Sequence, residues 1–209
     1  MFHKRITIVV IVLIASLSIP SAVSAVELNI IPRGGLSQPV GATAGTWQAG
    51  YALELDLLLP SIDERYTWGL RLGFHRWKPD AEEMLKVGDR QLEVEKTIGW
   101  RAIGELSGIA SYRLTMLPKP LKSIRVESGL GVFYVRQPDV YVKGFQAVGS
   151  SALNRVITLE HSSEITAGLS AGVSMTILDS IEPVVRYHYI FTADEATSIL
   201  TLGIGLLAK

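Results

Sequence analysis

Hydrophobic and polar residues alternate along most of this chain, and the charged residues keep to one side of the alternation. The clearest stretch is Tyr66 to His75. Tyr66, Trp68, Leu70, Leu72 and Phe74 point one way, while Thr67, Gly69, Arg71, Gly73 and His75 point the other. Successive strand side chains point to opposite faces, so a period of two marks a two-faced strand. The stretch has the length, about 9–11 residues, that a tilted strand needs to cross a bilayer. The same pattern predicts strands at 26–33, 47–59, 65–77, 99–114, 122–135, 164–178, 181–191 and 197–208. Their connections alternate in length: Gly34–Thr46 is long and 60–64 short, Lys78–Ile98 long and 117–121 short, Gln137–Ser163 longest and Asp179-Ser180 shortest. Thr192–Ala196 closes the last hairpin. Antiparallel strands threaded through an outer membrane show this alternation of short periplasmic turns and long outer loops. The fold expected is all-β, a single closed antiparallel eight-stranded transmembrane barrel.

Period alone does not say which face is inside, because a lipocalin-like soluble barrel turns its apolar face inward and a membrane barrel turns it outward. Two features favour the membrane. The cations on the polar face are Arg and His, whereas lysines are expected in loops, turns and the C-terminus. Crowded ion pairs favour Arg, whose planar fork grips a carboxylate in two places and is less strongly hydrated. Trp47, Trp68, Trp100, Tyr134 and Tyr187 sit near the ends of apolar stretches, as interfacial aromatic girdles do. The expected inward set of charges is Glu54, Asp56, Arg71, Arg101, Glu105, Arg125, Glu127, Glu182 and Arg186, joined by Glu27, Arg33, Arg113 and Glu164 and by His75 and His188 near the barrel ends. Acids and bases are nearly balanced in it. An eight-stranded barrel is just wide enough for side chains to fill, so these residues read as mutually paired structural filling. Pro183 falls inside a strand and is expected near its end or at a bulge.

The first residues carry an address. Lys4 and Arg5 precede an apolar run from Ile6 to Ile19, then Pro20 and the small residues of Ser21–Ala25. This is the layout of a secretory signal peptide over 1–25, cleaved after Ala25, with a barrel domain over 26–209. Lys+Arg 20 against Asp+Glu 20 leaves no basic excess to attract nucleic acid. The chain has no cysteine, so backbone pairing and packing alone must hold it.

Together these features resemble the small eight-stranded outer-membrane β-barrel proteins of Gram-negative bacteria, the OmpA/OmpX-like group. The last strand, Thr201-Leu202-Gly203-Ile204-Gly205-Leu206, is similar to that group's terminal assembly signal, although the chain ends Leu207-Ala208-Lys209 where the group usually has an aromatic residue. The resemblance implies insertion by the outer-membrane assembly machinery and contact with lipopolysaccharide. A monomer is expected, without cofactor or metal, since no metal-ligand spacing, P-loop or nucleotide fingerprint is present. The function expected is non-enzymatic: envelope structure, adhesion or loop-mediated interaction. An alternative is a barrel that binds or transports a small apolar molecule. A third reading starts from His161-Ser162-Ser163-Glu164, which resembles the His-x-Ser element of outer-membrane lipid A deacylases and would make Ser163 nucleophile and His161 its base. In the loops, Ala81–Lys86 could form a helical turn, and 141–145 carries aromatic residues that could meet a ligand.

Overall fold

The structure, a computed structural model, describes residues 28–61, 63, 65–87, 90–114, 121–148, 151–177, 180–193 and 196–207. The expected leader 1–25, Glu27, the Pro118/Pro120 turn and Ala208-Lys209 lie outside the described residues. The strands are β1 (Asn29–Val40), β2 (Gly50–Pro60), β3 (Tyr66–Trp77), β4 (Lys86–Val87), β5 (Arg90–Gln91), β6 (Glu93–Ile98), β7 (Arg101–Leu114), β8 (Leu121–Gln137), β9 (Val140–Val148), β10 (Ser151–Leu159), β11 (Ser162–Ile177), β12 (Ile181–Ile190) and β13 (Thr197–Leu206). Among the described residues an α-helix, α1, spans Ala81–Met84, and Gly41–Thr43 forms a 3-10 turn. Eight of the strands close into an antiparallel barrel in the order β1-β13-β12-β11-β8-β7-β3-β2, with β2 returning to β1. Closure leaves no unpaired edge, which is what allows a sheet to sit in hydrocarbon.

Burial settles which face is inside. Along β3, Thr67, Arg71 and His75 are buried while Trp68 (59% exposed), Leu70, Leu72 and Phe74 face outward. The same holds around the wall, where Leu53, Leu130 (63%), Ile165 (72%), Val185, Leu202 and Ile204 are exposed. An apolar belt of that extent is stable only against lipid. The barrel therefore spans a membrane, with the apolar-out, polar-in wall of outer-membrane barrels. No helix among the described residues is long and apolar enough to cross one.

Several expectations need correction. The first strand runs on to Val40 instead of stopping at residue 33. Gly34-Gly35 looks like a turn in the sequence, but a Cβ on Gly35 would lie 2.1 Å from Leu202 O and 2.5 Å from Gly203 Cα. The glycine marks a close approach of β1 to β13, not a bend. Pro183 does lie near a strand end, as expected: it is the third residue of β12 and pairs with Ile204 on one side, while on the other the β11–β12 ladder keeps its register but lacks pairs between Ser174–Val184 and Ile177–Ile181. The ladder is interrupted where proline has no N–H to donate.

The two longest connections are built, not irregular. Asp80 caps α1 by accepting from Glu83 N at 3.2 Å, and β10-β9-β6 form a separate three-stranded sheet beyond the barrel rim. Lys96 and Lys143 lie in these outer strands, Lys86 in the small β4–β5 sheet of the same connection, and Lys122 near the start of β8. Trp47, expected at a lipid interface, is 2% exposed and bridges Pro79. It joins Leu85, Leu92, Val140 and Val142 from the long connections and Trp77, Ile103, Phe133, Ile190 and Ile199 from the wall in one apolar plug. That plug closes the barrel at its long-loop end. At the short-turn end, Ile31, Leu58 and Ile109 pack with Leu207.

Candidate functional site

Between the two apolar clusters the lumen holds a continuous ion-pair chain. Arg125 Nη1 reaches Glu182 Oε1 at 3.5 Å, and Arg33 Nη2 donates to the same oxygen at 2.6 Å. Arg33 Nε also donates to Asp56 Oδ2 at 2.9 Å. Arg71 Nε donates to Asp56 Oδ1 at 2.7 Å, and its Nη2 to Glu127 Oε1 at 2.8 Å. Arg186 completes the chain, with Nε 2.5 Å from Glu127 Oε1 and Nη1 bonded to Glu54 Oε2. Arg33, Arg71, Arg125 and Arg186 thus meet Glu54, Asp56, Glu127 and Glu182, one guanidinium per carboxylate, all buried. Buried charges are tolerable when paired and hydrogen-bonded in this way.

Glycine placement makes the crowding possible. Gly73 stands in register between Glu54 and Glu105, Gly172 between Arg186 and Glu127, and Gly205 between Arg33 and Glu182. A Cβ on Gly73 would lie 2.9 Å from Glu105 Oε2, one on Gly172 3.0 Å from Glu127 Oε1, and one on Gly205 3.1 Å from Arg33 Nη1. Each glycine leaves room for a charged side chain of a flanking strand: Glu105 beside Gly73, Glu127 beside Gly172 and Arg33 beside Gly205.

Toward the long-loop end the chain meets a different cluster. Glu105 has no arginine at ion-pair distance among the described residues. Its Oε1 accepts from Ser107 Oγ at 2.5 Å, and its Oε2 lies 3.8 Å from His75 Nε2 and 3.4 Å from His188 Nδ1. His188 Nε2 in turn lies 3.9 Å from Glu54 Oε1. His75 is held from behind, its Nδ1 3.1 Å from Ser37 Oγ and its ring stacked on Trp77 at 5.9 Å. Phe133 packs edge-on against His188. Glu54, His75, Glu105 and His188 are all buried, and each points one polar atom that has no hydrogen-bond partner into the space between them. Sequence spacing shows nothing of this set, because it joins the adjacent strands β2, β3 and β7 to β12 across the lumen of the closed barrel. Ser37 was hidden as well, lying in a stretch that reads as loop.

The remaining site candidates lie apart. Arg101, half-buried at the long-loop rim, donates to Thr197 Oγ1 at 2.9 Å. His161 and Ser163 are exposed, and no hydrogen bond joins the His161 ring to Ser163 among the described residues. His161 N instead donates to Asp139 Oδ1 at 2.9 Å, and the half-buried Glu164, on the opposite face from Ser163, accepts from Ala193 N at 3.1 Å. A nucleophile, base and orienting carboxylate are not assembled there.

Outside the barrel, β6 is exposed along its whole length. Val94, Ile98, Phe145 and Val156 are exposed apolar groups of the outer sheet. Lys143 Nζ holds Glu95 at 2.7 Å across it, and that hydrogen bond raises the Lys143 pKa above the usual lysine value. At the wall's outer rim, the Arg76 and Arg136 guanidiniums lie 5.0 and 5.6 Å from the Trp100 ring.

No family model matches the sequence, and no curated protein matches it. Solved structures with a similar architecture include the outer membrane protein Ail of Yersinia pestis in a phospholipid bilayer nanodisc (15% identity, TM-score 0.49, covering 87% of this chain and 100% of that one). Neisserial surface protein A (13% identity, TM-score 0.46, 87% and 96%) and the N-terminal β-barrel domain of Pseudomonas aeruginosa OprF (10% identity, TM-score 0.43, 86% and 97%) are others.

Proposed function

We propose that this chain is a non-enzymatic outer-membrane protein that presents its β6–β9–β10 sheet at the cell surface as an interaction or adhesion surface. The observation that carries this reading is the division of labour along the barrel axis. Ion pairs and an apolar plug occupy the lumen, while the longest connections build an ordered sheet outside it with exposed Val94, Ile98, Phe145 and Val156. Exposed apolar groups on a rigid external element are what a recognition surface needs. The lipid-facing belt contacts the outer membrane and its lipopolysaccharide, the leader over 1–25 is removed on export, and the assembly machinery inserts the barrel as a monomer.

The test is expression in an outer-membrane host of the wild type and of a variant in which 139–160 is replaced by a short turn. Membrane fractionation and heat-modifiable gel migration report insertion of both. The wild type should raise attachment of the cells to matrix-coated surfaces, and the loop variant should lose that gain while still inserting. Equal attachment by wild type, loop variant and empty host would remove the reading.

A further inference from the structure

We propose that Glu54, His75, Glu105 and His188 form a binding site for a borderline first-row divalent cation, of which Zn²⁺ is the type, inside the barrel beneath the loop plug. The four ligand atoms, two imidazole nitrogens and two carboxylate oxygens, lie within 4.8 Å of one another. A tetrahedral ion with bonds of about 2.0–2.1 Å holds its ligand atoms about 3.3–3.4 Å apart. Glu105 Oε2 lies 3.4 Å from His188 Nδ1 and 3.8 Å from His75 Nε2, close to that spacing, and the full set, within 4.8 Å, closes on an ion by a modest inward movement of its side chains.

Three further features point to an ion. The converging atoms His75 Nε2, Glu105 Oε2 and Glu54 Oε1 and both His188 nitrogens are buried without a hydrogen-bond partner, which costs free energy unless something binds them. Three ligands also have the other end of the side chain fixed: His75 Nδ1 by Ser37, Glu105 Oε1 by Ser107 and Glu54 Oε2 by Arg186. Such outer contacts orient metal ligands and set the imidazole tautomer. Finally, the chain of arginine pairs ends at Glu54, and among the described residues the cationic partners within ion-pair distance of Glu105 are the two imidazoles, not a guanidinium. Two imidazoles with two carboxylates suit zinc and its neighbours, and disfavour Mg²⁺ and Ca²⁺, which take all-oxygen shells.

The plug lies above the site and the ion-pair chain below it, so the ion enters as the barrel closes and afterwards exchanges slowly. The experiment follows from this. The full chain, purified in detergent and unfolded, is refolded with Zn²⁺ or Co²⁺ and passed over chelating resin, with gel mobility confirming folding. About one ion should remain per folded chain, and the Co²⁺ form should show the intense visible bands of tetrahedral coordination. X-ray absorption on the Zn²⁺ form should show imidazole in an N/O shell. Ser37→Ala, which frees His75 without removing a ligand, should lower affinity about 10–100-fold. A folded wild type that retains no ion would overturn the site. Retention undiminished in a folded His75→Ala/His188→Ala variant, or a shell without imidazole, would overturn it equally. Should the double variant not fold, the wild-type absorption spectrum alone decides.

Discussion

Replacing Arg71 with methionine removes a guanidinium at the centre of the lumen while keeping most of its aliphatic volume. The lost donors reach Asp56 Oδ1 at 2.7 Å, Asp56 Oδ2 at 3.2 Å and Glu127 Oε1 at 2.8 Å, with both acids buried. Removing one partner of a buried pair costs about 3–5 kcal/mol, because the other charge is left uncompensated. Here each carboxylate keeps a second arginine, Asp56 from Arg33 at 2.9 Å and Glu127 from Arg186 at 2.5 Å. The expected loss is therefore at the low end, about 3 kcal/mol. Arg125→Met is the internal control. Arg125 reaches Glu182 only at 3.5 Å, and Glu182 already has Arg33 at 2.6 Å, so about 1 kcal/mol is expected. The difference of about 2 kcal/mol is roughly a thirty-fold change in folding equilibrium.

Reversible urea unfolding in lipid vesicles, followed by tryptophan fluorescence and gel mobility, measures both. Adding Glu127→Gln to Arg71→Met removes the surplus carboxylate charge and should recover at least half of the loss. A near-equal cost for the two arginine variants, or a cost under about 1 kcal/mol for Arg71→Met, would refute the paired, water-poor lumen, since exposed pairs contribute only about that much.

Three other outcomes follow from the layered interior and the lipid belt. Leu70→Arg, in the outward row of β3, should destabilise the barrel by about 2–4 kcal/mol in the same vesicle assay, whereas Val94→Arg on the exposed outer sheet should change little. Gly144→Val places a Cβ 2.6 Å from Leu85 Cδ1, and Leu85 is fully buried in the plug. That overpacking should cost about 1–3 kcal/mol, read as faster protease cleavage of 138–161 in intact vesicles. In planar bilayers the wild type should show no stable unitary conductance, because the plug and the ion-pair chain occupy the lumen; well-defined steps would contradict that filling.

Strands, their order in the chain and the two-faced wall were legible because period-two alternation is a local property, written residue by residue. β3 is the plainest case, with Trp68 to Phe74 outward and Arg71 and His75 inward. Two kinds of residue misled the reading. Gly34-Gly35 carries the composition of a turn, yet its glycines serve a close strand contact that depends on Leu202 and Gly203, far away in the chain. Trp47 has the composition of an interface residue, yet loop packing draws it into the plug beside Trp77. Both outcomes are fixed by partners distant in sequence, which a local pattern does not encode. The outer sheet escaped for the same reason: β6 pairs with β9 across the intervening barrel strands β7 and β8.

The interior charges show how far alternation reaches and where it stops. Alternation places Glu54, Asp56, Arg71, Glu105, Arg125, Glu127, Glu182 and Arg186 on one face, but pairing depends on register around a closed ring. That register divides them unequally. Four carboxylates each receive a guanidinium, and Glu105, displaced to the histidine layer by its position on β7, receives none among the described residues. Gly73, in register between Glu54 and Glu105, contributes to the division, because a Cβ there would press on the Glu105 carboxylate. A near-balanced composition therefore conceals a local imbalance at a specific depth in the barrel. Unpartnered polar atoms also occur singly along the ion-pair chain, but at that depth those of Glu54, His75, Glu105 and His188 converge, so the same ladder that neutralises the middle of the lumen leaves a cluster of free ligand atoms beside it.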